Sequence, residues 1–534
     1  MGQLPVLSQW RKKVWDPAWR PRCGAGLLAL GVLGAAPAVW AQSTASEAGR
    51  QAAPAAPAAP AALSLRELVM QVREANKDIR SKRAEAGIAA TGIDRAAAIF
   101  QPMVTLSATD GRNRQPNTYE EKLTRDQAGF YLRDGQDYSV GLSQLLPSGA
   151  KVEAKSTLSR FITNINEKDG RPDGARDNRT FWGLTLTQPL AKDAGTTVTK
   201  ARAALAELDI AVSSQSQAET EASVVAEAAM AYYELVLAQH RVQAAQEKIQ
   251  TGQRLLIQAQ TLVAQGRLPE SELLEVQNSL SRYQAGLSEA LQGQRERYNR
   301  LQTLALSSSA GDGRVRPAAD MFPVVTAAAA AAQPDEALKL ALDSRPDYLM
   351  QKKVIEREGV QLVYAQNQAL PRIDLVASYG RNGLAYSATT AFRWGTMSEY
   401  PTWSVGLQMQ IPLGESKLGR ADVAAASLRR ENALLALKAL EVQIANDIDT
   451  SLNMLGSAAE RWSHWQDVAR REQQQLEVER KRFAAGRSEV REILLREERS
   501  INSRLMALEQ QAAFAKAQIV LESSQGILLR RWSS

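Results

Sequence analysis

Side chains able to do chemistry are sparse in this 534-residue chain, and none is spaced for catalysis. The two histidines, His240 and His464, fall on separate long helical stretches with no matching ligand pattern, so they are expected as helix-surface residues. The neighbouring carboxylates Glu497 and Glu498 read as the solvated face of a charged helix, not as an acid–base pair. No phosphate-cradling glycine loop, HExxH, CxxC or GxSxG stands in a usable context. Neither a catalytic residue nor a cofactor or metal ligand is expected, and the chain is not read as an enzyme. What the spacing does specify is a pair of strand-to-helix joins.

In Phe181–Leu190, apolar Trp182, Leu184 and Leu186 alternate with Gly183, Thr185 and Thr187, the period of a two-faced strand. Pro189 then removes a backbone donor and ends strand pairing. Lys192–Gln265 follows, alanine-rich and free of proline, a helix of roughly 110 Å at 1.5 Å per residue. The join recurs at Gly406–Leu413, with Pro412 in place of Pro189.

That recurrence belongs to a long internal repeat. Asn76–Ile79 aligns with Arg345–Tyr348, Pro102 with Pro371, and Leu106 with Leu375, all offset by 269. Beyond the strands the offset is 223, so the first half carries 46 additional residues in its β region. At the later turns, Gly266 and Gly486, it is 220. The first half offers strands at about 103–110, 138–146, 150–160 and 180–188, and the second at about 372–379 and 402–411. Each has the 8–11 residues a tilted strand needs to cross a bilayer. Long polar stretches (112–137, 161–179 and 383–401) and the tight turn Pro147-Ser148-Gly149 fall on opposite sides, as in an outer-membrane barrel.

The remaining organisation follows from composition. Met1–Ala41 reads as a secretory signal peptide, with a basic start, an apolar Gly24–Val39 and small residues at Val39 and Ala41. Its removal takes away Cys23, the only cysteine, and lowers the net charge from +7 to about +3, so nucleic-acid binding is not expected. Arg-Pro-Arg precedes Cys23, and no lipid anchor is expected. Residues 42–62 form an Ala/Pro-rich disordered linker. Repeat 1 spans 63–306, with a helix from Ser64 to about Phe100 and a long helical hairpin at 192–305 whose tip is at 266. A link occupies 307–333. Repeat 2 spans 334–529, with its hairpin at 416–528 and its tip at 486. Heptad spacing of Leu273, Leu280 and Leu287 marks a coiled coil. No segment reaches ~18 uninterrupted apolar residues, so entry into a membrane requires a barrel.

These residues resemble the TolC-like outer-membrane efflux protein family over about Leu63–Leu529. The features that carry the resemblance are Arg345-Pro346-Asp347, Thr187–Leu190 leading into a long helix, and the duplicated helix-strand-strand-helix-helix order. The resemblance implies an α+β membrane protein in the outer membrane of a Gram-negative bacterium: a homotrimer with one shared β-barrel in outer-membrane lipid, continuous with a periplasmic α-helical tunnel. Its partners would be a periplasmic adaptor and an inner-membrane transporter. The two turns would meet the adaptor at Gly266, Arg267, Gly486 and Arg487. The closed constriction would be formed by Glu272, Glu275, Arg482 and Glu492. Pro102, Pro189, Pro371 and Pro412 would mark the passage from barrel to tunnel. Leu495 stands where the first turn has its second acid, and Phe483 where the best-known member has tyrosine. Multidrug or metal efflux and type I protein secretion are alternative uses of such a duct. A periplasmic coiled-coil scaffold or adaptor without a pore is the alternative of a different class. Three copies of four strands give 12, and three copies of six give 18. The short turn at 147–149 favours the additional hairpin joining the wall.

Overall fold

The computed structural model describes residues 62–125, 127–164, 176–305, 316–317, 322–323, 325, 333–397, 399–412, 417–485 and 487–532. The proposed signal peptide, most of the Ala/Pro linker and link, and Gly486 lie outside them.

A short parallel bridge pairs β1 (Ala62–Leu63) with β6 (Arg316–Pro317). The helix expected from Ser64 to Phe100 is two helices, α1 (Leu65–Ala75) and α2 (Lys77–Ala97), with a 3-10 turn at Ala98–Phe100. Asn76 breaks it, because its side-chain oxygen accepts the amides of Asp78 (2.8 Å) and Ile79 (3.3 Å) and starts a new helix. Strands β2 (Met103–Pro116), β3 (Phe130–Leu145), β4 (Lys151–Thr163) and β5 (Asp177–Pro189) follow. The short helix α3 (Tyr119–Thr124) lies between β2 and β3. The second half supplies β7 (Arg372–Ala385) and β8 (Pro401–Gln410), joined through α9 (Ala388–Thr396). Several strands outrun their expected ends, so the polar stretches are less loop-like than expected. Backbone pairing continues into polar sequence, whereas the apolar alternation that reveals a strand stops where the apolar band stops.

The six long strands form one antiparallel sheet in the order β2-β3-β4-β5-β7-β8. Its ends, β2 and β8, are open edges, and both strands are exposed along their whole length.

Two very long helices run from the sheet: α5 (Ala201–Ala264, after the short α4, Thr196–Thr199) and α10 (Lys417–Ala484). At 1.5 Å per residue they measure roughly 95 and 100 Å. Helix α6 (Glu270–Ala305) returns along α5, and α11 (Val490–Ser524) along α10. Helices α7 (Pro334–Ser344) and α8 (Pro346–Gln368) open the second half, and α12 (Leu528–Arg531) ends the chain. Near the sheet, α2, α5, α8 and α10 pack side by side, and farther along α6, α5, α11 and α10 do. The main core sits between these levels, where Leu68, Val69 and Val72 of α1 meet Val225, Tyr232 and Leu235 of α5 and Ile519 of α11. The corresponding core under α7 joins Ala337, Ala341 and Tyr348 to Ile444 and Ile448 of α10. Among the described residues no helix is long and apolar enough to cross a membrane.

Candidate functional site

The register places one side of the sheet in alternate rows. Val104, Leu142, Ala154, Leu184, Tyr379 and Trp403 stand opposite one another in sequence across all six strands. The large members of this row range in exposure from 47% (Leu142) to 72% (Trp403). Val140, Leu186, Leu375, Val405 and Leu407 extend the band, and each is exposed. A contiguous apolar surface of this size, in strands of 10–16 residues, requires a non-aqueous cover. Tyr386, Trp394 and Tyr400 are exposed around α9, beyond the far end of the band. Such amphipathic rings suit a membrane boundary.

The next row faces the opposite way: Thr105, Gly141, Lys155, Gly183, Gly380 and Thr402. Hydroxyl pairs Ser107–Ser139 and Ser378–Ser404, each 2.7 Å apart, join neighbouring strands on this polar side. The Phe181 ring lies across Gly183 and Gly380, where any added Cβ would collide with it. One face is therefore oily and the other mostly polar, with the Phe181 ring laid over its glycines.

The sheet gives way to helices at the prolines. Pro102 and Pro371 immediately precede β2 and β7, Pro189 is the last residue of β5, and Pro412 lies two residues past the end of β8. After Pro189 the chain is held to β7 by Leu190 N–H donating to the Ile373 carbonyl (2.7 Å). Asn367 then clamps the bend, accepting from Asp193 N–H (2.8 Å) and donating to the Ala191 carbonyl (3.2 Å).

At the level of the main core, Arg345 forks onto Asp347 (2.7 Å) and reaches Asp447 of α10 (3.1 Å) and the Ser524 carbonyl at the end of α11 (3.4 Å). Burial opposes its charge, but the bonds to the two aspartates outweigh burial and hold the guanidinium above its ordinary pKa. Nearby Glu219 is raised, by burial first and by Asp347 second.

At the opposite end of the helices, Gly266 has φ +68°. The Arg267 amide donates to the Leu262 carbonyl (2.9 Å) and that of Gly266 to Val263 (2.9 Å), the paired bonds of a Schellman cap. Arg487 donates in the same way to the Arg482 carbonyl (2.9 Å). Leu255, Ala259 and Val276 pack with Val490, Ile493 and Leu494, so the two turns form one apolar cluster.

Around this cluster Glu272 accepts from Val490 N–H (3.4 Å) at the start of α11, Glu492 pairs with Arg496 (2.9 Å), and Arg482 pairs with Glu479 (3.3 Å). Glu275, Arg267 and Arg487 are exposed. The tip thus gathers Glu272, Arg482 and Glu492 beside one cluster, each with a different partner.

Two acids at the tip were misjudged or missed from sequence. Glu497, expected on a solvated face, is 8% exposed and paired with Arg480 (2.6 Å), because its side of α11 packs against α10. Glu479 is buried and also accepts from Ser488 Oγ. The signal for Glu479 was its place three residues before Arg482. His240 is half-buried against Phe322 (6.2 Å between ring centroids) instead of lying free on a surface.

An amphipathic sheet set on paired helices of this length defines the fold of an outer-membrane channel. Residues 337–526 match the model of the outer membrane efflux protein family, and the chain carries a domain of that family. Three solved structures share the fold. The Campylobacter jejuni CmeC outer membrane channel is 14% identical with TM-score 0.62, the alignment covering 87% of this chain and 86% of that one. The open state of the Neisseria gonorrhoeae MtrE outer membrane channel is 16% identical with TM-score 0.58, covering 87% and 89%. A membrane protein from Pseudomonas aeruginosa is 16% identical with TM-score 0.62, covering 86% and 90%. Comparison with curated proteins gives no match.

Proposed function

We propose that three copies of this chain form a passive outer-membrane duct, the exit of a tripartite export system. An inner-membrane transporter and a periplasmic adaptor would deliver small molecules or proteins to it. The observation that carries this reading is the coincidence of open edges. The apolar band runs uninterrupted from β2 to β8 and ends at unpaired strands on both sides. Next to the sheet, the helical layer also ends at α2 and α10, which bear exposed Ile88, Ile93, Leu428, Leu435 and Val442. An isolated edge of this kind invites pairing, and a ring of copies satisfies sheet and helices together. β2 leads away from the helices and β8 returns to them, so β8 meets the β2 of the next copy antiparallel, as a closed barrel requires.

In this arrangement Pro102, Pro189, Pro371 and Pro412 mark the boundary between barrel and tunnel. The turns at Gly266–Arg267 and Gly486–Arg487 face the adaptor. Glu272, Glu275, Arg482 and Glu492 charge the closed tip, and opening it would rearrange the Glu272–Val490 and Arg482–Glu479 contacts. Planar-bilayer conductance of the purified protein, combined with chemical crosslinking to count subunits, tests the duct. Discrete channels from a crosslinkable trimer are expected, and a monomer that inserts no pore would end this reading.

A further inference from the structure

The two repeats build the wall from corresponding strands, but only the first separates them. In the second repeat β7 bonds directly to β8, with Ser378 opposite Ser404. The corresponding residues of the first repeat are Thr109 on β2 and Phe181 on β5, and β3 and β4 stand between them.

That hairpin is built into the wall. β3 pairs with β2 from Met103↔Ser143 to Pro116↔Phe130, and β4 pairs with β5 from Lys151↔Thr187 to Phe161↔Asp177. Its Tyr138, Val140 and Leu142 continue the apolar band without a gap. Its lower turn is seated on the junction, where Gly195 N–H donates to the Ser148 carbonyl (3.2 Å). Gly149, at φ +89°, lies so close to the Asp193 carbonyl that a Cβ would collide with it.

We infer that the β3–β4 hairpin sets the bore of the outer-membrane exit. Each copy contributes six strands, and the barrel has three times that number. The inference rests on the trimeric duct proposed above. With strands ~4.8 Å apart and tilted by ~40°, an 18-stranded wall has a backbone diameter of about 36 Å, against about 24 Å without the hairpin. The side chains turned inward are mixed: Ser139, Gly141, Gly183, Ser378 and Gly406 are small, while Glu153, Lys155 and the Phe181 ring project further. The open bore is therefore narrower than the backbone diameter but still widens with the added strands. A helix is roughly 10–12 Å across, so such an exit admits a packed pair of helices. Size selection then falls on the helical tip, and the cargo class includes polypeptide segments that keep helical structure.

Two measurements test this. Cys23 is the only cysteine of the chain, so paired cysteines can be introduced after its replacement. Cross-strand Cα partners suit a disulfide. Oxidation in outer membranes should join Ser107→Cys to Ser139→Cys and Glu153→Cys to Thr185→Cys, and leave Thr109→Cys and Phe181→Cys unjoined. A Thr109–Phe181 disulfide in a conducting trimer would overturn the inference and spare the duct. The second measurement is neutral-polymer sizing from the outer side in planar bilayers. It compares the full chain with one in which residues 386–400 of the second repeat replace 117–176. The cut-off diameter should fall by roughly a third or more in the shortened chain, since the side-chain lining takes the same width from both, and equal cut-offs would overturn the inference. If the shortened chain does not assemble, the disulfide pattern in the full chain decides. A full chain that inserts no channel counts against the duct itself.

Discussion

The two repeats make the same architecture from different chemistry. Helix α1 (65–75) and helix α7 (334–344) have bounds that differ by the same 269 residues, as do β2 (103–116) and β7 (372–385). Yet where the first repeat places Asn76, the second places Arg345. Asn76 donates to the Leu304 carbonyl (3.0 Å) at the end of α6, while Arg345 reaches the equivalent Ser524 carbonyl at the end of α11 and also binds Asp347 and Asp447. One solution is a neutral helix cap and the other a charged clamp. Duplication therefore conserves which element must be held and leaves free the chemistry that holds it.

The strongest test of this equivalence lies in the wall. Leu184 on β5 and Leu407 on β8 are repeat partners, and both sit on the apolar side. Arginine at either position should cost about 2–4 kcal/mol per copy at the bilayer midplane. The yield of heat-stable trimer on gels measures it, and both variants should lose most of it. Because β8 is an edge in one chain and an interior strand in a closed ring, equal losses support closure. A mild Leu407→Arg beside a severe Leu184→Arg would show that β8 stays an edge.

The clamp comes next. Arg345→Ala strands two carboxylates and should cost about 1.5–3 kcal/mol, since hydrogen bonds to charged groups are worth that much. Asn76→Ala removes a neutral cap and should cost about 1 kcal/mol. Thermal unfolding in detergent, followed by circular dichroism, should rank Arg345→Ala clearly below Asn76→Ala. The reverse order would mean that the charged clamp adds specificity without adding stability.

The turns give a smaller effect. Gly266→Ala forces a Cβ into the left-handed region and should cost about 1 kcal/mol. By sequence Gly486 stands where Gly266 does, and the neighbouring Arg487–Arg482 bond repeats the Arg267–Leu262 bond, so a similar cost is expected for Gly486→Ala. Limited proteolysis at the two tips would report both.

What could be read in advance follows the same division. Strand positions in the apolar band, the prolines at the junction and the glycine turn were legible because each is a local rule written in residue type. The ends of the strands were not, since Asp110–Pro116 pairs with Phe130–Gln136 through backbone groups that leave no mark in the side-chain pattern. The break at Asn76 was hidden because asparagine is tolerated within helices as well as before them. Glu497 and Glu479 were misjudged or overlooked because a charge on a long helix gives no hint of whether a neighbouring helix covers it. The place of the hairpin was half-visible: the tight turn at Pro147–Gly149 favoured the wall, but only the pairing of β3 with β2 and of β4 with β5 puts it there.

The smallest effect separates the repeats by pH. Helix α1 begins with a capping box: the Ser64 amide (2.8 Å) and hydroxyl (3.0 Å) donate to the Glu67 carboxylate, and the Glu67 amide donates back to Ser64 Oγ (3.3 Å). The backbone bond from Ser64, followed by its hydroxyl, lowers the Glu67 pKa below its ordinary 4.5. A lowered carboxylate contributes stability above its unfolded pKa and loses it as pH falls through the folded value. Helix α7 begins instead with Pro334 after Gln333, which makes no side-chain cap bond. Below about pH 4.5, amide exchange in Leu65–Ala75 should therefore quicken relative to exchange in Pro334–Ser344. Glu67→Gln should flatten that difference by removing the titrating group. A difference that persists in Glu67→Gln would assign it to the packing of α1 on α5, where Leu68, Val69 and Val72 are buried, and not to the cap.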